Sequence, residues 1–287
     1  MNSPHASRVT PHDLYLRCGR YTLPLKRPLI MGIINATPDS FSDGGEFFKL
    51  NQILTRAEAL IAEGADILDI GGESTRPGAA PVPLDEERRR VLPALEKLAG
   101  GRVPVSIDTQ KPELMREAIA AGASMVNDVN GFRATGAFEA VAASNAAICI
   151  MHMQGEPRSM QANPNYGDVT AEVRSYLMER VRAAEAAGIA RERIAIDPGF
   201  GFGKTLAHNL ALLRELGKFG GVGCAVLAGL SRKSMLGTIT GRDPAARVHA
   251  SVAAALLAVQ QGAHIVRVHD VSATRDALAV WRAVSGD

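Results

Sequence analysis

The sequence predicts a (β/α)8 barrel of the TIM type. Three observations point there. Short runs rich in Ile and Val recur at eight places, amphipathic segments alternate with them, and glycine closes several of those segments at the same relative position. The runs are 29–35, 66–71, 103–108, 125–130, 147–152, 194–197, 225–230 and 264–269. They do not alternate strictly between apolar and polar residues. That suits strands covered on both faces, as in a parallel sheet. A doubly wound open sheet is the competing arrangement.

Each element has a local reason. Residues 16–25 precede the first run and fit a small β-hairpin closing the barrel bottom. Segments 52–63, 85–98, 112–121, 169–187, 206–216 and 244–260 are rich in Ala, Leu and Glu, with apolar residues three to four apart, as amphipathic helices require. Gly64, Gly122, Gly188 and Gly262 follow such segments, where a left-handed residue ends a helix. The text AEGAD, AAGAS and QQGAH is one helix-to-strand turn used three times. The apolar stretches 251–259 and 277–284 suit packing on the barrel or on a second copy. The longest connections, 36–49, 73–84 and 153–168, follow strands, on the face where barrel active sites form. Long loops there are expected to act as lids, and the first two, rich in Gly and Pro, to move without ligand. Residues 1–13 are expected to be a frayed polar tail, and 14–287 one barrel domain.

Composition narrows the functional classes. A chain of 287 residues is close to the ~250 of a single α/β barrel. Hydrophobic residues at 46% and charged residues at 22% exclude disorder as the main state. The net charge of +2 gives no reason to expect nucleic acid or an anionic membrane as a partner, so anionic substrates need a local site. There is no apolar run of about 18 residues and no apolar core in the first fifteen residues. Cys18, Cys149 and Cys224 form no CxxC pair and are expected to be buried thiols. The expectation is a reduced, cytoplasmic protein.

The ends of the strands carry the chemistry. Asn35 ends the first run, Asp69 lies in the second, and Asp108 ends the third. Asn127 and Asp128 lie in the fourth, His152 ends the fifth and Asp197 the sixth. Ser231, Arg232 and Lys233 follow the seventh, and Arg267, His269 and Asp270 come with the eighth. A buried carboxylate or amide is costly unless paired. One such residue fits a satisfied core group, and Asp69 and Asp128 are open to that reading; seven strand ends are hard to explain by packing. Asp108, Asn127 and Asp197 suit a flat heterocycle rich in N–H groups, because a carboxylate accepts two parallel N–H bonds from an aminopyrimidine edge. Arg76, Lys233, Arg267 and His269, with Asn35 and Thr75, suit a phosphate or carboxylate. The segment 198–205 ends like the phosphate loop GxxxxGK[ST], but the pattern's first glycine falls on Pro198. Its glycines instead let the backbone and Phe202 approach a ligand closely. His152 has no partner spacing for a structural zinc site.

The blocks MGIINATPDSFSDGG (31–45), GGESTRPGA (71–79), SIDT (106–109), NDVNG (127–131), MHMQG (151–155), DPGFGFGK (197–204), GLSRKS (229–234) and RVHD (267–270) together resemble the dihydropteroate synthase family. The resemblance covers residues 14 to 284, in the family's order. It implies joining of 6-hydroxymethyl-7,8-dihydropterin diphosphate to p-aminobenzoate, giving 7,8-dihydropteroate and diphosphate, a folate-pathway step inhibited by sulfonamides. By position it implies a pterin pocket of Asp108, Asn127, Met151, Asp197, Lys233 and Arg267. It implies diphosphate contacts from Asn35, Thr75, Arg76, Arg267 and His269, with Asn35 also a Mg²⁺ ligand. Phe41, Pro77, Phe202, Lys233 and Ser234 would frame p-aminobenzoate, its carboxylate near Ser234. Asp108, Asp43, Lys233 and Arg267 carry the catalytic assignment, Asp43 by ordering the closed site. Family members are usually homodimers. Two other readings share the heterocycle grip: a methyltetrahydrofolate-dependent corrinoid methyltransferase, and a catalytically silent pterin-binding barrel. The first has no use for SRKS plus RVHD; the second should lack an anion-site residue.

Overall fold

The computed structural model describes residues 14–37, 46–74, 79–156 and 159–286. Strands β1 (Tyr15–Cys18) and β2 (Tyr21–Pro24) form an antiparallel hairpin. Eight further strands follow: β3 (Leu29–Asn35), β4 (Ile67–Gly71), β5 (Val105–Asp108), β6 (Met125–Asp128), β7 (Ala147–Met151), β8 (Ile194–Asp197), β9 (Ala225–Ala228) and β10 (Ile265–Val268). They pair in parallel and close on themselves, β10 returning to β3. The surrounding helices are α1 (Glu46–Glu63), α2 (Leu84–Leu98), α3 (Pro112–Ala120), α4 (Ala137–Ala142), α5 (Val169–Ala186), α6 (Leu206–Arg214), α7 (Ser234–Thr240), α8 (Val248–Gln260) and α9 (Val271–Ser285). The expected (β/α)8 barrel and its hairpin are both present. Among the described residues no helix is long and apolar enough to cross a membrane.

The period-two geometry of a strand explains how one barrel holds both a core and a site. Successive side chains point to opposite faces. Ile30, Ile34, Leu68, Ile70, Val126, Ile148, Ile196 and Val266 pack outward in the layer shared with the helices. The intervening Met31, Ile67, Met125, Cys149, Ala195, Leu227 and Ile265 meet Leu16, Cys18 and Leu25 of the hairpin region in a second cluster. That cluster plugs the N-terminal end of the barrel. Two residues further along the same inward face, Ile67 gives way to Asp69, Met125 to Asn127, Ala195 to Asp197 and Ile265 to Arg267. The interior is apolar at the bottom and polar at the mouth, while the outer face stays apolar except at Asp128, the last residue of β6.

Several element ends differ from the sequence expectation. The fourth run, read as 125–130, stops at Asp128 because the Asp128 carboxylate accepts the N–H groups of Asn130 and Phe132, both at 2.7 Å, and turns the chain. The seventh stops at Ala228. Segment 206–216 ends its helix at Arg214, and a 3-10 turn over Leu216–Val222 carries the chain on. Segment 244–260 divides into a 3-10 turn, Pro244–Ala246, and α8. Helix α4 spans 6 residues, too few for an apolar period to show. The three cysteines are free and buried, and burial pushes the Cys18 and Cys224 thiols up to about 12.

Candidate active site

Strand register lays the mouth residues side by side. Asn35 pairs with Gly71, Gly71 with Asp108, and Asp108 with Asn127. Across the barrel Met151 pairs with Asp197. The site is therefore written into the ladder, with each polar side chain at the last inward position of its strand.

One network joins three of these strands through β10. Arg267 Nε donates to Asp69 Oδ2 at 2.6 Å, and its Nη2 donates to Asp108 Oδ2 at 2.7 Å. Asn127 Nδ2 also donates to Asp69 Oδ2, at 3.1 Å. Asp69 is fully buried. Its Oδ2 is thus paired in the core, as the sequence left open, with the arginine expected over a ligand, while its Oδ1 has no hydrogen-bond partner among the described residues. Burial raises the Asp108 carboxyl, and the adjacent guanidinium of Arg267 opposes that rise.

Opposite lies a second group. Asp197 is buried, and its Oδ1 accepts the Gly199 N–H at 2.7 Å. Its other oxygen has no partner among the described residues. Burial raises this carboxyl too, against the pull of the Gly199 N–H and Lys233. Gly199 has φ +70°, and a Cβ there would stand 1.9 Å from the His152 carbonyl oxygen, so only glycine lets the chain cross the end of β7. Phe202, three residues on, packs with Met151, Val129, Met153 and Met160. The ammonium of Lys233 sits 4.0 Å from the centroid of the Phe202 ring. Burial pulls Lys233 down to about 8, and the Asp197 charge opposes that fall.

The turn that delivers Lys233 is tightly held. Arg232 adopts φ 58°, rare for a residue with a side chain. Its guanidinium grips both oxygens of Asp270, at 2.6 and 3.2 Å, its N–H donates to Ser251 Oγ at 2.9 Å, and Arg247 donates to its carbonyl at 3.0 Å. Arg232 and Asp270 therefore shape the mouth without facing it. Ser234 is exposed as the first residue of α7. His269 Nδ1 lies 2.9 Å from Ser231 Oγ.

Expected site residues thus divide. Asn35, Asp108, Asn127, Met151, Asp197, Phe202, Lys233, Ser234, Arg267 and His269 all stand at the C-terminal ends of the strands or in the turns that follow. Phe41, Asp43, Thr75, Arg76 and Pro77 lie outside the described residues. The Asp128 carboxylate is spent on its own turn. His152 faces Lys204, whose Nζ lies 3.0 Å from its Nδ1, and burial with that neighbouring charge lowers it to about 3. Its ring packs against Tyr166 and edge-on to Tyr176.

Sequence reasoning missed a buried ionic group at the base of the second long loop. Lys111 binds the carboxylates of both Glu73 and Glu87. Glu73 also accepts the Val82 N–H at 3.2 Å, tying the two ends of that loop together. Glu87 is fully buried, and burial raises its carboxyl despite Lys111. Glu87 sits in what reads as a solvated charge run, 85–90, so periodicity alone hides it. Lys111→Met should leave that carboxylate without a cation and lower stability by about 3–5 kcal/mol. Urea unfolding checks this; a loss under about 1 kcal/mol would mean water already solvates Glu87.

The comparisons agree with this geometry. A family model described as pterin binding enzyme matches residues 31–269. A protein of Neisseria meningitidis serogroup C, named dihydropteroate synthase, is 53% identical over 273 residues, covering 93% of this chain and 96% of the relative. The crystal structure of Burkholderia cenocepacia dihydropteroate synthase complexed with 7,8-dihydropteroate superposes with a TM-score of 0.87 at 54% identity, covering 95% of this chain and 97% of that one. Xanthomonas albilineans dihydropteroate synthase with 4-aminobenzoic acid gives a TM-score of 0.90 at 53% identity, covering 95% and 98%.

Proposed function

Since this chain belongs to the pterin binding enzymes, within the dihydropteroate synthase family, we propose that its barrel mouth joins 6-hydroxymethyl-7,8-dihydropterin diphosphate to p-aminobenzoate. The observation that carries this is the facing pair of groups at the mouth: the acceptors Asp108 and Asn127 with the cation Arg267 on one side, and the acceptor Asp197 with the cation Lys233 on the other.

The free oxygen of Asp197 and the Asn127 amide would hold the N–H edge of the pterin, with Met151 beneath the ring. Arg267 would leave one of its acidic partners to cover the other face and reach the diphosphate, where His269 and Asn35 would meet it, joined by Thr75 and Arg76. Phe202, Lys233 and Ser234 would frame p-aminobenzoate, with Phe41 and Pro77 completing the pocket and Asp43 helping to order it. The Asn35 amide has no partner among the described residues, so its oxygen is open to a hard cation. That fits a Mg²⁺ ion carried in on the diphosphate, and such an ion would neutralise charge on the leaving group.

The reaction is proposed to be dissociative. The bond between the pterin methylene carbon and the diphosphate oxygen breaks, and its electron pair leaves with diphosphate. The carboxylate of Asp108 stabilises the positive charge spread over the pterin and methylene. The amine nitrogen of p-aminobenzoate then forms the C–N bond and releases a proton to solvent. An arylamine is too weakly basic to need prior deprotonation, so no dedicated base is required.

We also propose a cytoplasmic homodimer. Ile239 of α7 and Leu257 of α8 are exposed large apolar side chains on adjacent helices, suited to cover by a second copy. The functional test is formation of 7,8-dihydropteroate and diphosphate from the two substrates with Mg²⁺. Diphosphate release that yields no dihydropteroate when the amine is present would contradict the reading.

The Lys233 ammonium supplies a pH dependence. Its charged form is the one that binds, and it is held near 8, so kcat/KM for the pterin diphosphate should fall as pH rises through about 8. Lys233→Met should remove that limb. A flat profile from pH 7 to 9.5 would mean that Lys233 binds equally well uncharged.

A further inference from the structure

The loop between β8 and α6 contains a buried cation that the mechanism above does not use. Lys204 is 3% exposed. Its Nζ donates to the Gly199 carbonyl at 2.9 Å and the Phe202 carbonyl at 3.0 Å, and it lies 3.0 Å from His152 Nδ1 and 3.4 Å from the His152 carbonyl. All four partners are neutral, and no carboxylate bonds it among the described residues. Enclosing an ammonium without a bonded counterion is costly, burial pulls it down to about 7 against the Asp197 charge, and an apolar side chain would fill the space more cheaply. The bonds fall on both ends of one short backbone segment. Gly199 starts it and Phe202 ends it, while His152 is the last residue of the neighbouring strand run.

We infer that Lys204 is a positioning residue: it fixes the 199–203 backbone against the end of β7 and so sets the Phe202 ring beside Lys233. This rests on the reading of that ring as one wall of the p-aminobenzoate pocket. Other contacts hold parts of the same segment. Asn209 Oδ1 accepts the Gly201 N–H at 2.7 Å, Gln161 donates to the Gly201 carbonyl, and Tyr166 donates to the Gly203 carbonyl at 2.8 Å. None of these reaches the Phe202 carbonyl, which Lys204 holds. The Asp197 backbone, by contrast, is fixed by the strand ladder and by the His152 N–H, which donates to its carbonyl at 3.0 Å, and its one hydrogen bond to the segment is the Gly199 N–H on Oδ1. Loss of Lys204 should therefore disturb the amine site far more than the pterin site.

The test is Lys204→Met in the full chain, with two independent readouts. Amide hydrogen exchange at residues 199–203 should speed up at least about 10-fold, whatever the protein binds. The Michaelis constant for p-aminobenzoate should rise at least about 10-fold, with kcat at saturation and the pterin dissociation constant both within about threefold of the parent. A defect that merely lowered the folded fraction would reduce apparent kcat and leave the Michaelis constant alone. In a Phe202→Ala background, Lys204→Met should no longer raise that constant. If Lys204→Met does not fold, Lys204→Gln, which keeps one donor group, should show the same pattern with a smaller rise. A folded variant with unchanged exchange at 199–203, or with faster exchange and an unchanged Michaelis constant, overturns the inference; so do additive effects with Phe202→Ala. A parent chain that makes no dihydropteroate would sink the functional reading, and the exchange experiment would still decide whether Lys204 holds the loop.

Discussion

Asp197→Asn should lower pterin affinity by about 30- to 1000-fold while leaving the fold intact. The carboxylate already gives one oxygen to the Gly199 N–H at 2.7 Å. The other oxygen is left for the ligand. An asparagine must choose. If its oxygen stays on Gly199, its NH₂ faces the pterin N–H, donor against donor. If it flips, the buried Gly199 N–H loses its acceptor. Either way a charge-assisted bond disappears and a polar group is left unpaired, which costs about 2–4 kcal/mol. At about 1.4 kcal/mol per tenfold change, that gives the stated range. Calorimetry with a pterin ligand measures it directly. Unchanged affinity would mean that Asp197 serves only its own loop.

The parts of this site that sequence made legible share a physical cause. A polar residue on the inward face of an otherwise apolar strand must be paired or used, and the strand fixes where it points. Asp108, Asn127 and Asp197 could be placed on one mouth for that reason. What the sequence hid were pairings between residues far apart in the chain. Nothing in the spacing joins Arg267 to Asp69, 198 positions away, or Lys111 to Glu87. Lys204 was hidden differently. It stands in a motif that looks like part of a phosphate loop, yet its ammonium turns inward to backbone carbonyls. Short helices such as α4 leave no periodic trace, and Asp128, open in sequence to a core-group reading, proves to be one through its two amide contacts.

The pairing of Arg267 gives it two roles that one experiment can separate. Its guanidinium is the cation bonded to two carboxylates inside the barrel, Asp69 and Asp108. It is also the group proposed to meet the pterin and its diphosphate. Arg267→Met keeps the apolar stem and removes the charge. Two buried carboxylates then face one another without a counterion, and stability should fall by about 3–5 kcal/mol. The folded fraction should also lose at least about 100-fold in kcat/KM for the pterin diphosphate, since charged hydrogen bonds worth about 1.5–3 kcal/mol each are gone. Adding Asp69→Asn removes one uncompensated charge while keeping an acceptor for the Asn127 amide. The double variant should recover about half of the lost stability, because its two sites are in contact and couple. It should recover none of the activity, since no cation has been returned to the mouth. Urea unfolding and steady-state kinetics on the three variants read the two effects separately. If kcat/KM recovers along with stability, Arg267 is an interior counterion only, and the diphosphate must be held by other cations.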